Sequence, residues 1–339
     1  MSFLSIGGFP IYSYGLGLAV SILVASVLLG QTCRRDGLRA HTASLILILA
    51  IPLGLLFSRL SYCLIRFSWF QRKGFSFFWQ LPKGGFFLYG TLLGVVIAGL
   101  IAARITHQKA VSVLSSMVLP GTLLLILAHL CMGLAGEGYG WSVREWFSVD
   151  TWNGERSGMS IFQLSDVSLF ERFPFAIPDY YEEYHWAVFV LEAILSLCML
   201  LRLWRDEKSL RPFLFLTYFA AEQALGASMR QDAMLKFGFV RVPQLLTVAL
   251  LLGLLICACV KARQVPAFRK FLSFAGLFAS FGVFMAMEFA LEKKIAFLAF
   301  LSMDLCYLIM ILCCLGMIAS VAPMLEKGFA DRKQEGARA

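Results

Sequence analysis

The sequence predicts an all-α fold, a polytopic bundle of membrane-spanning helices. Hydrophobic residues make up 59% of the 339 residues and charged residues only 15%, whereas soluble domains carry about a quarter charged residues. The apolar residues come in blocks of about twenty, long enough to cross a hydrocarbon core of roughly 30 Å. Basic residues follow alternate blocks, as they do in loops that stay in the cytoplasm.

Roughly nine spans are predicted, with the N-terminus outside and the C-terminus inside. Arg34, Arg35 and Arg39 place the first loop in the cytoplasm. We expect the aromatic and basic loop 64–85 to lie on the outer leaflet as an interfacial stretch. The predicted spans are 11–30, 42–62, 86–105, 112–135, 185–203, 212–228, 242–260, 271–290 and 295–322.

Composition excludes several classes of protein. The net charge of +9 comes from basic residues at span ends, which favours anionic lipid over nucleic acid as a partner. The nine cysteines lie mostly inside spans without metal-ligand spacing, so we expect small buried hydrophobes and no metal site. The glycine, histidine and serine motifs of ATPases, zinc proteases, dinucleotide-binding enzymes and standard hydrolases are absent, and no cofactor is predicted. The N-terminus lacks the basic region of a cleavable signal peptide.

Helix packing and breaks are indicated within the spans. Gly90, Gly94 and Ala98 recur every four residues in the third span, which lets a neighbouring helix approach closely. Pro120 and Gly121 are expected to break the fourth span. The loop 136–184 is rich in acidic residues and poor in lysine and arginine, so we expect an outer lid or subdomain.

The stretch Ala128–Trp141 carries the first functional signal. His129 lies inside an apolar run, and Glu137 follows among four glycines. An ionisable group at membrane depth is costly unless it faces a bundle interior or a wet cavity. The stretch is therefore either a site lining or a glycine-terminated helix with a solvated glutamate, and the sequence leaves both open.

Further ionisable residues fall on the predicted outer side of several spans. They predict either one polar cavity that opens outward or a structural network between helices. Arg59 is likewise predicted to be either a cation that faces the bundle interior to bind an anionic head group or a side chain that extends to the membrane–water interface. The set comprises Arg59, His129, Glu137, His185, Glu192, Glu222, Arg230 and Asp232.

The order of short motifs over about residues 11–260 resembles the prolipoprotein diacylglyceryl transferase family. Tyr14-Gly15-Leu16 matches the family's Tyr-Gly-Leu, and Ser58–Tyr62 is similar to its Gly-Arg-Leu-Gly-Tyr. The other similar stretches, in chain order, are Phe87–Gly94, His129–Gly140, Glu192, Arg230–Asp232 and Val242–Thr247.

The resemblance implies a multi-pass protein of the bacterial inner membrane that moves diacylglycerol from phosphatidylglycerol to the lipobox cysteine thiol of a prolipoprotein. It implies catalytic roles for Tyr89, His129 and Glu137. It implies phospholipid binding by Arg59, His129, Arg230, Asp232 and Gln244. The predicted division is a transferase-like membrane domain at 1–263, two additional helices at 264–325 and a cytoplasmic tail at 326–339.

The sequence also departs from the family pattern. Tyr89 stands where the family has histidine, His129 where it has arginine and Met132 where it has asparagine. The family's arginine in the sixth span has no counterpart, and Glu222 lies near its place. A catalytically degenerate, phospholipid-binding paralogue is therefore the alternative function. A small-molecule transporter ranks last, because the sequence shows no inverted repeat.

Overall fold

The computed structural model describes residues 2–6, 9–80, 84–147, 167–179, 182–231, 235–237, 240–292, 298 and 301–338. Asp232 and residues 148–166 of the predicted outer loop lie outside the described residues. Short strands pair into three antiparallel hairpins at chain turns. They are β1 (Ser2–Ile6) with β2 (Phe9–Tyr12), β3 (Ala176–Pro178) with β4 (Tyr184–Trp186), and β5 (Lys236–Phe237) with β6 (Val240–Arg241).

Helices account for most of the described chain. The first part contains α1 (Ser13–Arg35), α2 (Thr42–Ile65), α3 (Phe67–Lys73), α4 (Ser76–Trp79), α5 (Leu88–Ile105), α6 (Ala110–Ala135) and α7 (Val143–Phe147). The second part contains α8 (Val188–Arg205), α9 (Arg211–Met229), α10 (Val242–Lys261), α11 (Ala267–Leu291) and α12 (Met303–Arg338).

Seven of these helices are long and apolar enough to cross a membrane: α1, α2, α5, α6, α10, α11 and the Met303–Ala330 part of α12. This confirms the predicted polytopic helical membrane protein. The predicted fifth and sixth spans form α8 and α9, which are helices but fall outside that set. The charged residues Glu192, Arg202 and Arg205 lower the mean hydropathy of α8.

The predicted break at Pro120 is wrong, because α6 continues through it from Ala110 to Ala135. Proline lacks an N–H, so the carbonyl of Ser116, four residues earlier, loses its usual helical donor. The Thr32 hydroxyl of α1 donates a 2.9 Å hydrogen bond to that carbonyl. A neighbouring helix thus satisfies the freed acceptor, as is common for proline inside membrane helices.

The predicted close approach at the small residues of α5 is confirmed, and its partner is α2. A Cβ added at Gly90 would collide with the carbonyl of Phe57, and one at Gly94 with the carbonyl of Leu53. Ala98 has no exposed surface. Small side chains bring two membrane helices together because van der Waals contact between backbones drives their association.

Gly94→Leu is expected to lower the thermal stability of the purified protein, since the added side chain forces α2 and α5 apart. Overpacking of this kind costs about 1–3 kcal/mol. Gly253→Ala in α10 is the matched control, because nothing lies within 4 Å of a Cβ at that position. Equal unfolding temperatures for the two variants in detergent would contradict the close α2–α5 contact.

The last two long helices share a hydrophobic core with the helices before them. Leu277 and Phe284 of α11 and Met310 of α12 are fully buried in one cluster with Leu251 and Leu255 of α10. Helix α12 continues to Arg338 without an end near the predicted boundary at 325–326. The two helices are therefore packed into the bundle that carries the ionisable residues described next.

Candidate functional site

Three helices bring buried ionisable side chains together near one end of the bundle. His129 of α6, Glu192 of α8 and Glu222 of α9 are all nearly inaccessible to solvent. The His129 Nδ1 atom lies 3.2 Å from Glu192 Oε2, and its Nε2 atom lies 3.3 Å from Glu222 Oε1. Ser196 lies one turn after Glu192 and donates a 2.6 Å hydrogen bond to Glu222 Oε1. The imidazole ring is therefore held between two carboxylates.

Arg230 adds a second cation immediately after α9. Its Nη1 atom is 3.9 Å from Glu192 Oε2, and its backbone N–H donates to the carbonyl of Gly226. A Cβ on Gly226 would overlap the Glu192 carboxylate, so glycine is what lets this carboxylate lie against α9. We call His129, Glu192, Ser196, Glu222 and Arg230 the His129 cluster.

The charges of the His129 cluster balance when the imidazole is protonated. Only the imidazolium form has an N–H on both nitrogens, one toward each glutamate. Neither nitrogen makes an aligned hydrogen bond despite the short distances. Catalytic hydrogen bonds are often poorly aligned before substrate binds. The cluster can therefore hold a proton between its two carboxylates, away from bulk water.

Tyr89 and Gln244 lie where α5 meets the start of α10. The Tyr89 hydroxyl is 2.9 Å from the Thr247 hydroxyl, and its ring packs edge-on against Phe219 at 5.3 Å. Gln244 is fully buried and accepts a 3.4 Å hydrogen bond from the backbone N–H of Arg241. The Gln244 Nε2 atom has no hydrogen-bond partner among the described residues. A buried amide donor without a partner is costly unless a ligand satisfies it.

Glu137 lies outside this buried group. Helix α6 ends at Ala135, Gly136 adopts the left-handed conformation with φ +69°, and the exposed Glu137 follows. The backbone N–H of Glu137 donates a 3.0 Å hydrogen bond to the carbonyl of Met132. The glycines therefore end the helix, and the Glu137 side chain stands beyond its last turn.

Arg59 is buried, and its guanidinium faces the loop between α2 and α5. Its Nε atom donates to the carbonyl of Phe78 at 3.2 Å, and Nη2 to that of Phe77 at 2.7 Å. Its Nη1 atom donates to the carbonyls of Gly84 and Gly85. The side chain thus fastens the aromatic loop that contains α3 and α4. Within the described chain, neither Arg59 nor Glu137 has a hydrogen bond or ion pair to the His129 cluster.

A second buried ion pair joins α11 to the turn that carries Arg230. Arg241 Nε lies 3.1 Å from Glu288 Oε1, and Ser228 donates a hydrogen bond to the other oxygen of Glu288. The Arg241 Nη1 atom also donates to the carbonyls of Ala227 and Arg230. Glu288 thereby orients Arg241, and Arg241 holds the backbone on both sides of α9's last residues.

Helix α12 supports the same region. The Trp141 indole N–H donates a 3.1 Å hydrogen bond to the Tyr307 hydroxyl, which in turn donates to the carbonyl of Ser228 at 3.3 Å. Trp146 donates a 2.8 Å hydrogen bond to Asp304 and stacks on Tyr307. The start of the loop after α6 and the end of α9 are therefore both anchored to α12.

One group of residues has metal-ligand chemistry. The ligand atoms of Asp179, Glu183 and His185, in and beside the β3–β4 hairpin, lie within 4.8 Å of one another. Both acidic residues are exposed, and a 3.5 Å ion pair from His185 to Asp179 already accounts for part of the arrangement. Exposed acidic groups of this kind are common in proteins without a bound ion.

Sequence reasoning named His129 and Arg230 as site residues and noted Glu192 and Glu222 as ionisable, but it missed three partners. Ser196 follows Glu192 by four residues and so shares its helix face, a signal that was readable. Arg241 directly precedes the Val242–Thr247 motif. Glu288 gave the weaker signal of a single acidic residue within an apolar span.

Fold and site together define a polytopic helical membrane protein with a buried cluster of ionisable side chains near one end of its bundle. The model of the prolipoprotein diacylglyceryl transferase family matches residues 1–260. The chain belongs to this family, which confirms the resemblance. Helices α11 and α12 lie beyond the matched residues.

Individual relatives are similar over a shorter stretch. The chain is 26% identical over 99 residues to a phosphatidylglycerol–prolipoprotein diacylglyceryl transferase of Bacillus mycoides (strain KBAB4), covering 29% of this chain and 36% of the relative. The corresponding protein of Bacillus cereus (strain Q1) is 26% identical over 101 residues, covering 30% and 37%. The matched stretch thus spans little more than a third of the length of these curated relatives.

Proposed function

We propose that this protein is a diacylglyceryl transferase of the bacterial inner membrane, moving diacylglycerol from phosphatidylglycerol to the lipobox cysteine of a lipoprotein precursor. The family match and the names of the relatives support the reaction class. The observation that carries the proposal is the His129 cluster, because buried ionisable groups in membrane helices mark functional sites.

The transfer replaces a carbon–oxygen bond with a carbon–sulfur bond and moves one proton. The cysteine sulfur bonds to the carbon of the diacylglycerol that bears the phosphate, while the bond from that carbon to the phosphate oxygen breaks. The electron pair leaves with glycerol phosphate, and the thiol proton passes to a base. The protein must therefore stabilise a departing phosphate and accept one proton.

The residues divide these tasks. Arg230 and protonated His129 offer N–H donors to the phosphate, since cations stabilise charge that develops on a leaving group. The free Nε2 amide of Gln244 is a further donor. His129 and the glutamates beside it relay the thiol proton, with the Tyr89 hydroxyl as the other predicted assistant. Glu137 orients the head group from its exposed position beyond α6.

Arg59 and Asp232 complete the predicted phospholipid-binding set. The contacts of Arg59 favour an action through the loop 67–79, whose exposed Phe75 and Trp79 suit a membrane interface. In this proposal α8 and α9 also cross the membrane, which gives nine spans with the N-terminus outside. Residues 1–263 form the transferase-like domain, 264–325 add two spans, and 326–339 form a cytoplasmic tail.

The alternative is a catalytically degenerate paralogue that binds phospholipid. The observation that favours it is the mutual pairing of the site's own charges. Glu192 faces both His129 and Arg230, and the Tyr89 hydroxyl is occupied by Thr247. A site whose cations are already paired binds phosphate more weakly than one with free cations.

A reconstitution assay separates the two functions. The purified full chain is incubated with phosphatidylglycerol and a synthetic lipobox peptide, and mass spectrometry detects the thioether-lipidated product. We expect product from the cysteine peptide and none from a control peptide with serine in place of cysteine. Retention of phosphatidylglycerol without product would support the degenerate paralogue, and absence of both would reject the transferase proposal.

A further inference from the structure

A cleft of about 50 Å³ lies at the end of the bundle opposite to the His129 cluster. It opens where α1 and α8 end, α6 begins and α9 begins. Ser116 lines it, thirteen residues before His129 on α6, which places it about 20 Å from that histidine along the helix. The basic loops predict that this end faces the cytoplasm. The cleft is therefore separate from the proposed transferase site.

Two guanidinium groups line the cleft without an ion pair of their own in the described chain: those of Arg35 and Arg211. The Asp206 carboxylate attracts Arg211 but is itself paired with Arg202 at 2.7 Å. Arg211 is oriented by backbone carbonyls, since its Nε atom donates to Asp206 and its Nη2 atom to Trp204, both at 3.1 Å. Its Nη1 atom has no hydrogen-bond acceptor among the described residues. Arg35 lies over the Trp204 ring at 6.0 Å.

The other charges of the cleft cancel. Lys208 is ion-paired with Asp36, and Ser116 donates a 2.7 Å hydrogen bond to the second oxygen of the same carboxylate. The hydroxyl of Ser115 is used by the carbonyl of Lys208. What remains is an excess of positive charge from Arg35 and Arg211 beside an exposed tryptophan.

We propose that this cleft binds one phosphate group, carried by an anionic phospholipid head group or present as free phosphate. A water molecule needs about 10–15 Å³, so the cleft has room for a group of several heavy atoms. Guanidinium groups match phosphate with paired hydrogen bonds. Basic pockets between membrane helices suit lipid head groups, and a tryptophan at the interface packs beside the lipid.

The test measures ligand binding to the delipidated full chain and does not depend on transferase activity. Native mass spectrometry titrates phosphatidic acid and phosphatidylcholine, and thermal unfolding titrates inorganic phosphate. Arg35→Gln is the main variant, because Arg35 is exposed and its loss leaves the core intact. Arg211→Gln is the second variant. Arg263→Gln is the control, an exposed cation in the turn between α10 and α11 at the same end.

We expect phosphatidic acid to bind in preference to phosphatidylcholine. Arg35→Gln is expected to weaken the binding of phosphatidic acid about tenfold, because one or two charge-assisted hydrogen bonds are lost. If only the inorganic phosphate effect depends on Arg35, the ligand is free phosphate. If Arg35→Gln binds both ligands as the wild type does, or if Arg263→Gln weakens binding equally, the proposal is overturned. Should Arg211→Gln fail to fold, Arg35→Gln decides alone.

Discussion

His129→Leu is expected to reduce formation of the lipidated peptide by about 10²-fold or more, the contribution of a positioned proton-transfer group. It is also expected to destabilise the protein, because Glu222 loses its cation and, among the described residues, Glu192 is left with Arg230 at 3.9 Å. Removing one partner of a buried ion pair costs about 3–5 kcal/mol. Product yield and unfolding temperature in detergent measure the two effects.

His129→Arg separates the charge of this residue from its proton chemistry. Arginine is the residue that the family pattern has at this position, and it can pair with both glutamates while remaining charged. We expect this variant to keep the stability that His129→Leu loses and to retain the binding of phosphatidylglycerol. His41→Leu, at an exposed turn before α2, is the control and should change neither quantity. A fully active His129→Leu protein would refute a role for the cluster in the reaction.

Glu288→Leu is expected to lower the free energy of unfolding by about 3–5 kcal/mol, because it leaves the buried guanidinium of Arg241 unpaired. Arg241 is only 7% exposed and Glu288 only 3%, so water cannot replace the lost partner. Thermal or denaturant unfolding in detergent measures the change. Glu326→Leu on the exposed face of α12 is the control, with an expected change within about 0.5 kcal/mol.

The double variant Arg241→Met/Glu288→Leu distinguishes the stability of this pair from its effect on the site. Buried ion pairs replaced by apolar side chains often recover stability, so we expect the double variant to be more stable than Glu288→Leu. It still lacks the hydrogen bonds from Arg241 to the carbonyls of Ala227 and Arg230. We therefore expect low transferase activity in a folded protein. Full activity in this variant would show that the turn does not need Arg241.

These contacts give the two additional helices a physical role. Glu288 and Tyr307 each reach the end of α9, and Arg230 follows that end directly. A catalytic group needs surrounding contacts that fix its position. In the proposed reaction, helices α11 and α12 supply part of that support for Arg230 from outside the segment that matches the family.

The sequence was informative where the order of residues along the chain carries the signal. Seven of the roughly nine predicted spans form long apolar helices, and the spacing of Gly90 and Gly94 predicted the close approach of α5. The order of motifs predicted family membership. Each of these properties follows from the linear sequence without knowledge of which helices pack together.

Pairings between helices were not readable in this way. The sequence left Arg59 open between two orientations, and the structure directs it to loop carbonyls of residues 77–85. The break expected at Pro120 does not occur, because the Thr32 hydroxyl that bonds the freed carbonyl of Ser116 lies on another helix.

The sequence by itself determined that this is a multi-pass helical membrane protein of the diacylglyceryl transferase family, and it named His129 and Arg230 among the candidate site residues. The tertiary structure alone decided that His129 lies between Glu192 and Glu222 and that Glu288 of an additional helix pairs with Arg241. The physical reason is that membrane helices are apolar on nearly every face. Their sequences therefore set how long each helix is, whereas the packing of all helices together sets which polar side chains meet.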